Sequence, residues 1–484
     1  MPNQALAFHC VSERVYDLSG LRTGSIRDQL LRSTLVVQCL VDEGIVDRFR
    51  PLLVFGAGAA GVNAALVAAK RGVSVDVLER EPHPFATLAL ADWRRVDPVE
   101  YDWPHPHCRD ACFPAHARGI PLVQTSGTAA DLAHAWAAEL QTWDSSFNGR
   151  GRLGTTRFLT GCDANDFLQC QVDATKRVIE VTGPWAGKSA PKSMRQYGAI
   201  LSCIGFSGER TSSTDVPDPW SDYVGPAFWT ENDGLGRTNP LPMDYRHVLI
   251  TGGGDGAMQD FQRATTGWFG LDLLDRIGAG LPGWVKPAHF VEGSTLASFL
   301  MAEDAGRRVH AWKRDRQPLT KSLQDWHQAF AVGVDTLVAG WSDAQVHSLC
   351  SAILEPAVWR GDRQVTWIHR EETPGYAYAL NRFLCLLIEK LLARLSTAGF
   401  KLPVQVHAMS EIESLRPSST SHRCGLARGC RGQDHDVSIF SHRLGTRWQL
   451  TSDLVIVRHG ALYDRVLVKR APVPEQLTPY GFPV

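Results

Sequence analysis

Three glycines at G-x-G-x-x-G spacing, Gly56, Gly58 and Gly61, directly follow an apolar run in the segment LLVFGAGAAGVNAALVAAKRGVSVDVLER. Such a turn handles phosphate without any charged side chain. Gly56 permits the tight turn, Gly58 lets backbone approach a pyrophosphate, and Gly61 lets a helix pack closely on a strand. Residues 59 to 70 read as an Ala-rich helix whose first residues, Ala59 and Ala60, present amides and the positive end of the dipole to the anion. Gly72 ends the helix, and SVDVL reads as a second strand. Glu79 stands at that strand's end, 23 residues after Gly56. A carboxylate there accepts hydrogen bonds from ribose hydroxyls and repels a 2′-phosphate, which disfavours NADP at this turn. Arg80 beside it is grouped with the cofactor-binding residues. The alternative for the whole segment is a turn that binds no nucleotide.

Further elements must position this unit. Residues 25 to 46 read as an amphipathic helix, 127 to 143 as another, and 154 to 183 as short strands. Residues 83 to 125 read as long loops. An apolar strand over 199 to 204 ends in Gly205. The strand HVLIT runs into GGGDGAMQD, where Gly252, Gly254 and Ala257 give G-x-G-x-x-A, with Asp255 among them. Residues 320 to 400 look mainly helical, and LVIV is a last strand before a Pro-rich tail. Five units are expected: an N-terminal helical segment (1–48), a dinucleotide domain (49–215), a second glycine-rich segment (240–290), a mainly helical cap (291–445), and a C-terminal return to the first domain (446–484).

The first fingerprint closely resembles the FAD-binding unit of the glutathione-reductase-like flavoproteins, down to the Ala-rich helix and terminal Glu. That resemblance favours FAD over NAD, which the spacing alone does not decide. The second cluster looks like the nicotinamide-binding turn of thioredoxin reductases and flavin-containing monooxygenases. The segment order is similar to theirs too: YGAILSCIGFSGER holds the place of the strand ending in Ala-Thr-Gly, and DLVIVRHG that of the returning strand. The resemblance implies an α/β flavoprotein with a discontinuous Rossmann-like FAD domain, a second dinucleotide-fold segment, and NAD(P)H as a candidate partner. After Ala257, however, no V-x-V-x-E strand follows at the spacing where a ribose-reading residue belongs. The second cluster thus reads either as a nicotinamide site or as a glycine turn kept for packing or for touching flavin or substrate.

Other residues carry candidate chemistry. Arg94 or Arg95 is placed to pair with a pyrophosphate, and Tyr101 or Trp103 to stack near a flavin ring; the alternative is a surface loop with a packed Trp. WIHREETPGYAYALNRF (His369, Arg370, Glu371, Glu372, Tyr376, Tyr378, Asn381, Arg382) reads either as pocket lining or as a helix start with solvated charges. His105, His107, Cys108, Cys112 and His116 form one crowded cluster, and His422, Cys424, Cys430 and His435 another. Neither has the matched pairs that structural zinc prefers, so no metal is expected.

The 484 residues carry a formal net charge of −1, which offers no basic surface for nucleic acid. No signal peptide and no apolar run of membrane length is visible. Eleven scattered Cys fit reduced thiols in a cytoplasm. The expected function is FAD-dependent redox chemistry on a small organic molecule, as an NAD(P)H-using monooxygenase or as a flavin oxidase or dehydrogenase without nicotinamide. A non-catalytic nucleotide-binding protein is the alternative from another class. Substrate and oligomeric state are not legible.

Overall fold

A computed structural model describes residues 4–18, 26–97, 100, 103, 120–147, 154–167, 169–187, 189–205, 208–212, 220, 223–239, 244–280, 323–375, 377–418 and 434–462. The first glycine turn joins strand β3 (Leu52–Phe55) to helix α2 (Ala59–Lys70), and strand β4 (Val75–Leu78) follows. All four residues of β3 are buried, as expected of a strand covered on both faces of a parallel sheet. The apolar small residues of α2 let it sit between this sheet and helix α1 (Ile26–Asp42). Buried Asn63 ties the two helices: its Nδ2 donates to the Leu30 carbonyl at 3.0 Å, to Ser33 Oγ at 2.9 Å and to Thr34 Oγ1 at 2.8 Å.

Six strands form this first sheet: β1 (Cys10–Ser12), β2 (Val15–Asp17), β3, β4, β5 (Thr156–Leu159) and β9 (Ala199–Ser202), in the order β1-β2-β9-β3-β4-β5. All pairs but β1–β2 are parallel. Between β5 and β9 lies an antiparallel meander of β6 (Gln169–Asp173), β7 (Val178–Gly183) and β8 (Ser193–Tyr197). Helix α3 (Ala129–Phe147) precedes β5.

The second glycine turn repeats the plan. Strand β10 (His247–Thr251) leads into α4 (Asp255–Thr266). Among the described residues α5 (Gly270–Gly280), α6 (Leu323–Ala339), α7 (Asp343–Ile353) and the single turn Pro356–Trp359 follow before strand β11 (Gln364–His369). Then come α8 (Ala379–Thr397), β12 (Val404–Ala408), a meander of β13 (Ser410–Pro417), β14 (His435–Ser441) and β15 (Thr446–Ser452), and finally β16 (Leu454–Val457). The second sheet is wholly parallel, in the order β12-β11-β10-β16. The first contains the matching run β5-β4-β3-β9, so the two halves share one architecture. Helices α4 to α8 pack with this sheet around a core that includes Phe261, Phe330, Trp367, Phe383 and Ile456.

Three expectations are corrected here. The LVIV strand does not return to the first sheet: β16 pairs with β10 in the second, Leu249 opposite Val455. The place beside β9 is filled instead by β2, Leu201 opposite Tyr16, so residues 1–48 supply strands as well as a helix. Residues 291–445 are not a helical cap alone: among the described residues β11 to β14 lie there beside the helices and complete the second dinucleotide unit well beyond residue 290. Among the described residues no helix is long and apolar enough to cross a membrane.

Candidate functional site

At the first turn Gly56 has φ +92°, and a Cβ there would lie 2.6 Å from the Cys203 carbonyl oxygen, so the position admits only glycine. Its amide donates to the Leu78 carbonyl at 2.8 Å. Gly61 sits so near that a Cβ on it would come 1.8 Å from the Gly56 oxygen. Gly58 differs. It caps α2 with an extended backbone (φ −74°, ψ −172°), and a Cβ on it would meet nothing within 4 Å. No side chain caps this helix end, so its first amides are left for an outside acceptor.

Glu79 is held by backbone. Its Oε2 accepts from the Ala57 amide at 2.6 Å and its Oε1 from the Glu81 amide at 2.8 Å. Each oxygen keeps a second lone pair for a ligand.

The second turn has the same parts. Gly252 has φ +133°, and a Cβ on it would lie 2.2 Å from the Arg458 carbonyl oxygen, as Gly56 meets Cys203. Gly254 caps α4, and a Cβ on it would meet nothing within 4 Å, as at Gly58. Asp255 begins α4, and its Oδ1 accepts from the Tyr378 amide at 2.7 Å and from Asn381 Nδ2 at 2.9 Å. Ala257 is buried in the core beneath.

Both turns open onto one cleft of about 1150 Å³. Gly56, Gly58, Ala59, Ala60, Glu79, Arg80 and Gly205 line it from the first half. Gly252, Gly254 and Asp255 line it from the second, joined by Arg370, Glu371, Arg458 and His459. The cleft exceeds the usual range for a drug-sized ligand and suits an extended dinucleotide. Gly61 and Ala257 support it from behind.

Arg94 and Arg95 are not part of this lining, contrary to the expectation of a pyrophosphate contact. Arg94 is buried and fully used: Nη1 donates to Asp260 at 2.8 Å, Nη2 to Asp233 at 2.9 Å, and Nε to the Phe228 carbonyl at 2.8 Å. Arg95 pairs with Asp272 at 2.9 Å. Arg94 belongs to a buried cluster in which Arg263 bonds both Asp233 and Asp260 at 2.8 Å, and Arg458 Nε donates to Asp260 at 2.7 Å. The Arg94 guanidinium also lies 3.7 Å from the Phe228 ring centre. Burial, with Arg263 alongside, pulls Arg94 down to about 10. Burial alone would raise Asp260, but the three guanidiniums hold it below the usual carboxylate range. The cluster joins the loop after β4 to α4 and to the end of β16, and so fixes one glycine turn against the other.

Trp103 is buried against Phe383, with ring centres 4.9 Å apart, and does not line the cleft. Tyr101, Tyr376, the His105–His116 cluster, His422, Cys424 and Cys430 lie outside the described residues. Among the described residues no group of His, Cys, Asp and Glu is arranged to hold a metal. Buried Glu100 stands behind the cleft, its Oε2 accepting from cleft-lining Gln259 at 3.1 Å. Burial, with Asp97, Asp255 and Asp272 nearby, pushes Glu100 well above the usual carboxylate range. Leu18 and Cys162 also line the cleft and carried no signal in sequence; Arg458 and His459, which line it too, stand in the DLVIVRHG segment. Arg370 and Glu371 stood in a segment with two readings, and the cleft contains them both.

Residues 54–107 match the family model of NAD(P)-binding Rossmann-like domains. No curated protein sequence matches the chain. Among solved structures the chain is similar to an FAD-bound cadaverine monooxygenase of desferrioxamine biosynthesis from Erwinia amylovora (13% identity, 86% of this chain and 79% of that one, TM-score 0.38). It is also similar to the thioredoxin reductase of Lactococcus lactis (9%, 85% and 77%, 0.37) and to the reduced ornithine hydroxylase of Pseudomonas aeruginosa (11%, 87% and 84%, 0.34). At such identities and TM-scores these likenesses add nothing to what the two sheets already show.

Proposed function

We propose that the chain is an FAD-dependent oxidoreductase acting on a small organic molecule, with FAD at the first glycine turn and a nicotinamide dinucleotide at the second. One observation carries this reading: two strand–turn–helix units, each with a glycine whose missing Cβ leaves open space, face the same cleft. The open face of Gly58, the uncapped start of α2 and the fixed carboxylate of Glu79 suit the pyrophosphate and ribose of FAD. When bound, FAD supplies a reversible acceptor for electrons from an organic donor. The chain itself binds the dinucleotide, orients it between the sheets, and keeps the turns fixed through the Arg94–Asp260–Arg458 cluster. The free thiols of Cys162, Cys170, Cys203, Cys350 and Cys385 fit the expected cytoplasmic setting.

A second reading, a flavin oxidase or dehydrogenase without nicotinamide, is favoured by one contact. The loop after β11 seats on the second turn, the Gly375 amide donating to the Gly253 carbonyl at 2.6 Å. The deciding measurement is the visible spectrum of the purified protein, with identification of the released cofactor. Bound FAD is expected. A colourless protein that takes up no added FAD would leave the nucleotide-binding regulatory alternative.

A further inference from the structure

At the spacing that served the first unit the second has Asp275, but it lies on α5 and not at a strand end, and the fold shows where the counterpart of Glu79 lies. The amide of Gly56 bonds the Leu78 carbonyl at 2.8 Å, and that of Gly252 bonds the Ile368 carbonyl at 3.0 Å. Leu78 and Ile368 are therefore equivalent, and so are Glu79 and His369. His369 does not face a ligand: it is buried, and its Nδ1 donates to the Glu371 carbonyl at 2.8 Å. The carboxylate arrives two residues later. Glu371 Oε2 lies 3.3 Å from where a Cβ on Gly253 would stand, and Gly253 is the equivalent of Ala57, whose amide Glu79 binds.

We infer that Glu371 reads the adenosine ribose of a nicotinamide dinucleotide at the second turn and selects NAD(H) over NADP(H). A carboxylate accepts hydrogen bonds from a free 2′-hydroxyl and repels a 2′-phosphate. The neighbouring cation is already engaged: Arg370 Nε pairs with Glu411 at 2.5 Å, and Glu411 also meets His442 at 3.0 Å. Glu372 adds a further negative charge beside it. The inference rests on the nicotinamide-using form of the proposed function.

The test is calorimetric titration of the flavin-loaded protein with NAD+ and with NADP+, alongside E371Q. The wild type should bind NAD+ at least about tenfold more tightly than NADP+, and E371Q should weaken NAD+ by about tenfold while narrowing the ratio. Glu371 is exposed, so the variant should fold as the parent does. Equal or tighter NADP+ binding would overturn the inference, pointing to Arg370 released from Glu411. So would an unchanged ratio in E371Q, or FAD-loaded protein that binds neither nucleotide. Failure of the flavoprotein reading shows separately, as absence of FAD from the same sample.

Discussion

Replacing Gly58 by Ala separates a binding turn from a packing turn. The backbone at Gly58 is extended, and an added Cβ meets no protein atom within 4 Å. The apoprotein should therefore tolerate Ala, and gain about 0.4–1 kcal/mol from a less flexible unfolded chain. A dinucleotide should not tolerate it, because the methyl occupies the space through which the pyrophosphate approaches the start of α2. Losing two amide bonds to a charged phosphate costs about 3–6 kcal/mol, roughly 10²–10⁴-fold in affinity. Gly61→Ala should do the reverse. Its methyl would come 1.8 Å from the Gly56 oxygen, so α2 must move off the sheet at a cost of about 3 kcal/mol in stability. The assay is urea unfolding of both apoproteins, with FAD reconstitution followed by fluorescence. A G58A protein that folds normally and binds FAD as tightly as the parent would refute the pyrophosphate assignment.

Glu79→Gln should lower FAD affinity by roughly 1–3 kcal/mol, since an amide nitrogen would replace one of two oxygens already accepting from backbone; equal affinities of the reconstituted apoproteins would place Glu79 away from the ribose. Asp260→Asn leaves three buried guanidiniums facing Asp233 alone, and should lower stability by about 3–5 kcal/mol in urea at pH 7. Because Asp260 is held below its unfolded value, its stabilisation is present above about pH 4 and lost as pH falls further, so the gap between D260N and the parent should shrink in acid. Burial raises Glu389 on α8 to about 7. Its contribution is therefore present below about pH 4 and lost as pH rises through 7, and E389Q should be the more stable protein at pH 8 but not at pH 4, as read by thermal melts.

The first unit was legible because everything it needs is local. Strand, turn, helix, second strand and carboxylate fall within residues 52 to 79, and Gly56 and Gly61 answer contacts made inside that stretch or with Cys203 at the end of β9. The second unit was half legible. Its turn resembles a nucleotide turn, but α5, α6 and α7 fill the crossover between β10 and β11, so the second strand and its carboxylate lie far from the spacing that was searched. QVTWIH is short and five of its six residues are buried, a pattern that does not announce a strand beside so much helix. LVIV reads as a buried strand in either sheet, and nothing in four apolar residues says which neighbour it joins. Arg94 shows the same limit in a side chain. Its partners Asp233 and Asp260 are 139 and 166 residues away, so its burial could not be seen from the loop that carries it.

The duplicated plan explains why one cleft meets two turns. In the first sheet β4 lies on one side of β3 and β9 on the other; in the second, β11 and β16 flank β10. Each glycine turn therefore stands where the strand order reverses, and the carboxyl ends of the diverging strands leave a crevice there. The flanking strand also forces the glycine: the carbonyls of Cys203 and Arg458 fill the space a side chain would need at Gly56 and Gly252. Arg458 meets Asp260 within the second unit, and the same Asp260 receives Arg94 from the loop after β4. Backbone at both turns is thus fixed by packing and buried charge. The charged side chains at the rims are Glu79 and Arg80 at one turn and Arg370 and Glu371 at the other, and under the proposed function discrimination between nucleotides falls to them. Substitutions at those four positions should change which nucleotide binds without changing the fold that presents it.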